Sequence, residues 1–128
     1  ASTGNTWSEM FNSNEYYHVW VRAYSACITS SPVDASASGI NGFDASYSQS
    51  ITTQTDNAMI VAAFAHDKSS QSGTFSDGTT IISTHYRSGE GYIIINEKIE
   101  ATAGSHTRSC TMTGNCRGVT SAIALKPA

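Results

Sequence analysis

Apolar positions recur along this chain mostly at a spacing of two, the period of a strand that buries one face. At positions 16–23, Tyr17, Val19, Val21 and Ala23 fall on one side, and Tyr16, His18, Trp20 and Arg22 on the other. Positions 24–29 read as a second short strand that ends in the loop Ser30-Ser31-Pro32. Positions 34–44 are small, polar and broken by glycine, the composition of a long connection. Strand character resumes at 47–53. The run 58–66 is apolar on both faces, Met59, Val61, Ala63 and Ala65 opposing Ala58, Ile60, Ala62 and Phe64. A helix could carry such a run. The β-prone Thr52-Thr53-Gln54-Thr55 before it and the turn residues after it favour a central strand covered on both sides.

Beyond a Gly/Ser loop at 68–73, strands are predicted at 79–87 and 91–99, joined by Ser88-Gly89-Glu90-Gly91. The closing pair is 107–113 and 118–126, turning at Gly114-Asn115. Val119, Ile123 and Leu125 form the inward face of the last strand, and Pro127 stops it. Turn signals return about every ten to fourteen residues, the rhythm of a sandwich or jelly roll. No repeat stands out at the longer periods of solenoids and propellers. The expectation is one all-β domain over 1–128, an antiparallel β-sandwich.

Composition narrows the setting. At 128 residues the chain fills a single core and has no room for a second. Charged residues make up 13%, about half the usual share, while Ser and Thr supply roughly a quarter. Such weakly charged, hydroxyl-rich surfaces suit secreted adhesins, pilus-like subunits and virion proteins. Net charge is −3, and Arg22, Arg87, Arg108 and Arg117 are scattered, so no basic face is offered to nucleic acid. The longest apolar run, 58–65, is far short of the ~20 residues that span a bilayer. The chain opens on Ala1 without a leader-like stretch, as it would if a leader had been removed or if it were the ordered part of something longer.

Candidate chemistry is sparse. Cys110 and Cys116 flank the predicted Gly114-Asn115 turn, and residues facing each other across an antiparallel pair lie within disulfide reach. They are the disulfide candidate in an oxidising compartment, the alternative being two reduced thiols. Cys27, beside Ile28, reads as a small buried hydrophobe. Four histidines, His18, His66, His85 and His106, show no metal-ligand spacing, and His66-Asp67 is the best of them for acid–base work. There is no Gly-x-Ser-x-Gly elbow, and Glu90, Glu97 and Glu100 read as a solvated edge. Asp34, Asp44, Asp56, Asp67 and Asp77 lie in or beside predicted loops but lack the Asp-x-Asp-x-Asp run of a calcium loop. No catalytic group, metal or cofactor is expected. Aromatic residues offer the remaining ligand chemistry. Trp7, Tyr16, Trp20, Tyr24, Tyr47, Tyr86 and Tyr92 could stack on sugars, with Tyr16, His18 and Trp20 on one strand face as the leading ligand-binding set. A core wall or a subunit interface would use the same rings.

Taken in order, SSPVDASASG, ITTQTDNAMIVAAFAHD, EKIEATAGSHTRSCTMTG and SAIALKPA resemble a known module. It is the jelly-roll-like β-sandwich that recurs in secreted bacterial proteins and in phage virion and tail-associated proteins. The resemblance runs from Ser31 to the last residue. Two departures stand out: Arg117-Gly118 occupies the place where such modules commonly carry Trp, and fewer residues precede the Pro-Val-Asp loop. The resemblance implies a jelly-roll-like sandwich short of strands on its N-terminal side, with a groove or strand edge left open. A neighbouring subunit would complete it. The functional expectation is a non-catalytic structural subunit, a virion decoration or fibre or an extracellular filament, assembling with copies of itself or a larger surface assembly. The alternative is a carbohydrate-binding adhesion module that takes glycans on its aromatic face. Either belongs outside the cell or on a virion surface.

Overall fold

The computed structural model describes residues 23–25, 27–68, 71–85 and 91–128. They form an antiparallel β structure, with 73% of them in strands and no helix among them. The strands are β1 (Val33–Thr53), β2 (Ala58–His66), β3 (Gly73–Phe75), β4 (Thr79–His85), β5 (Tyr92–Glu100) and β6 (Gly104–Leu125). Their order in the sheet is β1-β6-β2-β5-β4, with β3 also paired to β6. The predicted strands at 16–22, the turn 88–90 and Tyr86-Arg87 lie outside the described residues, and 24–29 contributes a single bridge, Cys27 to Pro127.

The doubly apolar run 58–66 is β2, with hydrogen-bonded neighbours on both sides. The stretch read as a long connection is instead the first half of β1, a 21-residue strand. Its Ser and Gly residues suggested a loop, yet Ala35, Ala37 and Gly39 alternate with exposed Ser36, Ser38 and Ile40. Ladder pairing along β6 supplies the backbone hydrogen bonds that low strand propensity does not preclude.

The Gly114-Asn115 hairpin does not form. β6 runs unbroken for 22 residues and buries Arg108, Cys110, Met112, Cys116, Thr120, Ala122 and Ala124, every one at an even position. One edge of β6 pairs with β1 along its length, while the other takes β3 at 110–112 and β2 at 118–125. Between the pairs Asp44↔Cys116 and Ser46↔Thr111, β6 advances five positions while β1 advances two. Extra residues on one strand of a pair bend it and sharpen its twist. The N-terminal half of β6 and the C-terminal half of β1 therefore fold over β2 and β5. Tyr47 stacks on Phe64 with ring centroids 6.3 Å apart, and Phe75 meets Phe64 edge-on at 4.9 Å. With Ile51, Ile60, Tyr92 and Ile94 these rings form the core.

The inward face of the last strand is the reverse of the expected one. Thr120, Ala122 and Ala124 point into the core, and Val119 and Ile123 point out, 53% and 36% exposed. From 120 to 124 the inward positions hold only Thr and Ala, whereas Arg108 and Met112 fill inward positions in the first half of β6.

Candidate interaction surface

The outer face of the sheet can be read as rows across paired strands. One row runs Ile93, Ala65, Val119, Ile40 across β5, β2, β6 and β1. A second runs Ile99, Met59, Leu125, Val33. Between them lie Val61 with Ile123, and Ala63 with Ser121. Two rows of this face are thus apolar over four strands, while the rows between them also carry Glu97, Ser36, Ser38 and Ser121, and Ile99 on β5 is 57% exposed. Val61 and Ile95 are buried, Val33 is half exposed, and Ile40 is 90% exposed. Phe43, 60% exposed, stands beside the bulge at the bend.

β1 pairs with β6 alone among the described strands, so no described strand takes the backbone N–H and C=O groups of its other edge. Sequences that protect such an edge place lysine or proline on it. β1 has neither, and its two charges are engaged locally. Asp34 accepts the N–H groups of Gln54 at 2.6 Å and Thr55 at 3.3 Å, and Asp44 accepts those of Ala45 and Ser46.

On the same outer face, the segment ahead of β1 lies near the far end of the sheet. Tyr24 donates to Glu97 at 3.0 Å, and Ile28 donates its N–H to the Lys126 carbonyl at 3.4 Å. Between this segment and the sheet is a groove of about 380 Å³ lined by Tyr24, Cys27, Met59, Ile99, Leu125 and Pro127. Cys27 is only partly buried there.

The expected sites fall elsewhere. Tyr16, His18 and Trp20 lie outside the described residues. Of the other aromatic candidates, Tyr47 and Tyr92 are buried in the core, where no sugar can stack on them. Cys110 and Cys116 are both free thiols, and the hairpin that was to bring them face to face is replaced by one continuous strand. Burial pushes the Cys110 thiol up to about 11, and the nearby Cys116 adds to the shift. Tyr47 donates its hydroxyl to the Cys116 carbonyl, and its pKa is raised, by burial first and by Cys116 second.

His66 and Asp67 serve the fold. His66 is buried with its ring 5.1 Å from Tyr92, and its Nδ1 accepts the Lys68 N–H at 3.2 Å. Asp67 accepts the Arg117 N–H at 3.0 Å. Asp56 accepts the Ala103 N–H at 2.7 Å, holding two turns together.

Glu100 belongs to no solvated edge. It joins a cluster centred on Arg108, whose side chain is 1% exposed. Alternation along β6 turns Arg108 inward, so its charge needs partners there. Asp77 meets Nη1 at 2.5 Å, the Asp77 carbonyl accepts from Nη2 at 2.8 Å, and Asn96 Oδ1 accepts from Nη2. Lys98 bridges Asp77 at 2.8 Å and Glu100 at 3.1 Å, and His106 approaches Glu100 at 3.6 Å. The Lys98 hydrogen bond, helped by the Arg108 charge, holds the Asp77 carboxyl below its ordinary value. Gly78 closes over the guanidinium with φ +76°, and a Cβ there would stand 2.6 Å from Arg108 Nη2. Isolated charges at 77, 98, 100 and 108 gave no sign of this cluster. Only the pairing of β6 with β1 and the bend bring them together.

No family model matches this chain, and no curated protein or solved structure matches it either.

Proposed function

We propose that this chain is a non-catalytic structural subunit displayed outside a cell, as part of a virion decoration or fibre or of an extracellular filament, and that it assembles through subunit contacts. On this reading the bent sheet is a jelly-roll-like β-sandwich whose outer side is finished by a neighbour. One observation carries the proposal: an apolar row crosses four strands and ends at Ile40, 90% exposed on a strand whose outer edge meets no other described strand. An edge without lysine, proline or unengaged charge beside an exposed apolar face is a surface made to be covered. The polar residues that first invite a catalytic reading, His66, Asp67 and Glu100, are committed to internal bonds.

Sedimentation velocity of the parent chain and of a Val119→Asp, Ile123→Asp variant tests this. The parent should sediment as a multiple of 13.6 kDa, and the variant should shift toward the single chain with its circular dichroism unchanged. Equal sedimentation of both as single chains would overturn the proposal.

A further inference from the structure

We propose that Asn41 is a site of spontaneous modification, where the side-chain amide is lost through a cyclic imide with the backbone of Gly42, leaving aspartate or isoaspartate. The proposal is independent of the subunit reading above.

The chain holds a single Asn-Gly pair, at 41–42. In such a pair the glycine nitrogen reaches the asparagine side-chain carbonyl carbon readily, because no Cβ stands in its way. The Gly42 nitrogen loses its proton and bonds to Asn41 Cγ, the Cγ–Nδ2 bond breaks, and ammonia leaves. Water then adds to one of the two carbonyl carbons of the five-membered ring. Opening on one side gives aspartate. Opening on the other gives isoaspartate, with the main chain routed through the side-chain carbon. One water is taken up and one ammonia released, so no oxidant or reductant is needed.

In a regular strand the ladder would hold the 41–42 peptide extended, away from the side chain. Here the surroundings lift that protection. Pairing of β1 with β6 shifts between Asn41↔Gly118 and Asp44↔Cys116, so Gly42 and Phe43 together stand opposite Arg117 and the 41–42 peptide leads into a bulge. Asn41 Nδ2 is buried yet has no hydrogen-bond partner among the described residues, so no bond to that nitrogen fixes the amide. Gly42 is exposed, and a Cβ built on it would meet no described atom within 4 Å beyond its chain neighbours. The ring therefore has room to form, and water can reach it.

Other residues of similar chemistry lack this combination. Asp77-Gly78 could cyclise by the same route, but Lys98 at 2.8 Å and Arg108 at 2.5 Å hold its carboxylate. Asn96 is buried, its Nδ2 donates to the Asp77 carbonyl at 3.0 Å, and its Oδ1 accepts from Arg108. Asn57 precedes Ala58 and Asn115 precedes Cys116, so a Cβ hinders attack at each. Either product at Asn41 adds a negative charge at the bend of β1, where Asp44 already stands.

Peptide mapping by mass spectrometry reads the site in the folded chain, incubated at mildly alkaline pH. The peptide carrying Asn41 should gain about one dalton and separate into aspartate and isoaspartate forms. Its conversion should run roughly tenfold faster than that of the peptides carrying Asn57, Asn96 or Asn115. Gly42→Ala is the informative variant. Its methyl group enters open space, and the backbone at Gly42 is not left-handed, so the variant should fold like the parent, as circular dichroism checks. The added Cβ should slow conversion at Asn41 about tenfold. An unchanged rate in Gly42→Ala, aspartate formed without isoaspartate, or an Asn41 peptide that converts no faster than the other three would each overturn the proposal.

Discussion

Arg108 and Cys110 sit two residues apart on the same inward face of β6, and each is tolerated there for a different reason. The arginine is neutralised by Asp77 and Glu100 and capped by Gly78. Arg108→Ala would leave those carboxylates with the half-exposed Lys98 as their remaining lysine or arginine partner. A loss of about 2–3 kcal/mol is expected in urea unfolding, toward the low end for a buried pair because Asp77 is partly reached by water. Gly78→Ala should destabilise through the same contact, since a Cβ would meet both the guanidinium and the Glu97 carbonyl. Asp77 ties the cluster to pH. Its folded pKa is depressed, so its contribution is present above about pH 4 and is lost as pH falls through the lowered folded value. Asp77→Asn should be less stable at pH 7, and its stability should fall less between pH 4 and pH 2. Cys110 has the opposite sign. Its folded pKa of about 11 exceeds the unfolded value of about 8.5, so its contribution is intact below about pH 8.5 and is lost as pH rises toward 11. At pH 8 a soluble thiol reagent should modify Cys27 rapidly in the folded protein, and Cys110 and Cys116 only after denaturant is added.

At the level of elements, the sequence was most legible where apolar residues covered both faces of a strand. The run 58–66 needed no tertiary information, because eight consecutive apolar residues between turn signals leave few other options. The first half of β1 and the second half of β6 were less legible for one shared reason: their inward positions are Ala, Gly, Asn, Thr and Cys, which read as loop or as neutral. In β6, the larger Val119 and Ile123 drew the inward assignment that belongs to Thr120, Ala122 and Ala124. The even-numbered run from Arg108 to Ala124 was present in the sequence. It passes through a Gly-Asn pair that elsewhere makes a turn, and an arginine within it hides the phase. The Arg108 cluster was not legible at all, because it depends on a bend set by register shifts rather than by residue type. The corrected phase has a direct consequence. Ala122→Leu or Ala124→Leu should cost about 1–3 kcal/mol by overpacking, whereas Ile123→Thr should change monomer stability by no more than about 0.5 kcal/mol. Chemical denaturation of the three variants, measured where the chain is unassociated, reads the difference.

For the whole molecule, the sheet buries a ring-lined core on one face and keeps exposed apolar side chains on the other. The inner face is filled by rings from β1, β2 and β3 that the bend brings together. The outer face keeps exposed apolar side chains at both ends, Ile99 on β5 and Ile40 on β1, and Ile40 stands on the strand whose outer edge meets no other described strand. On the proposed subunit reading, low overall charge keeps repulsion between copies small, and the edge of β1 that no described strand takes would supply hydrogen bonds between them. The proposed function thus stands or falls with association of the chain. It is tested most directly by light scattering on the eluting native species, from low micromolar to hundreds of micromolar. The account expects a mass that rises to a multiple of 13.6 kDa with concentration. A constant 13.6 kDa across that range would contradict it.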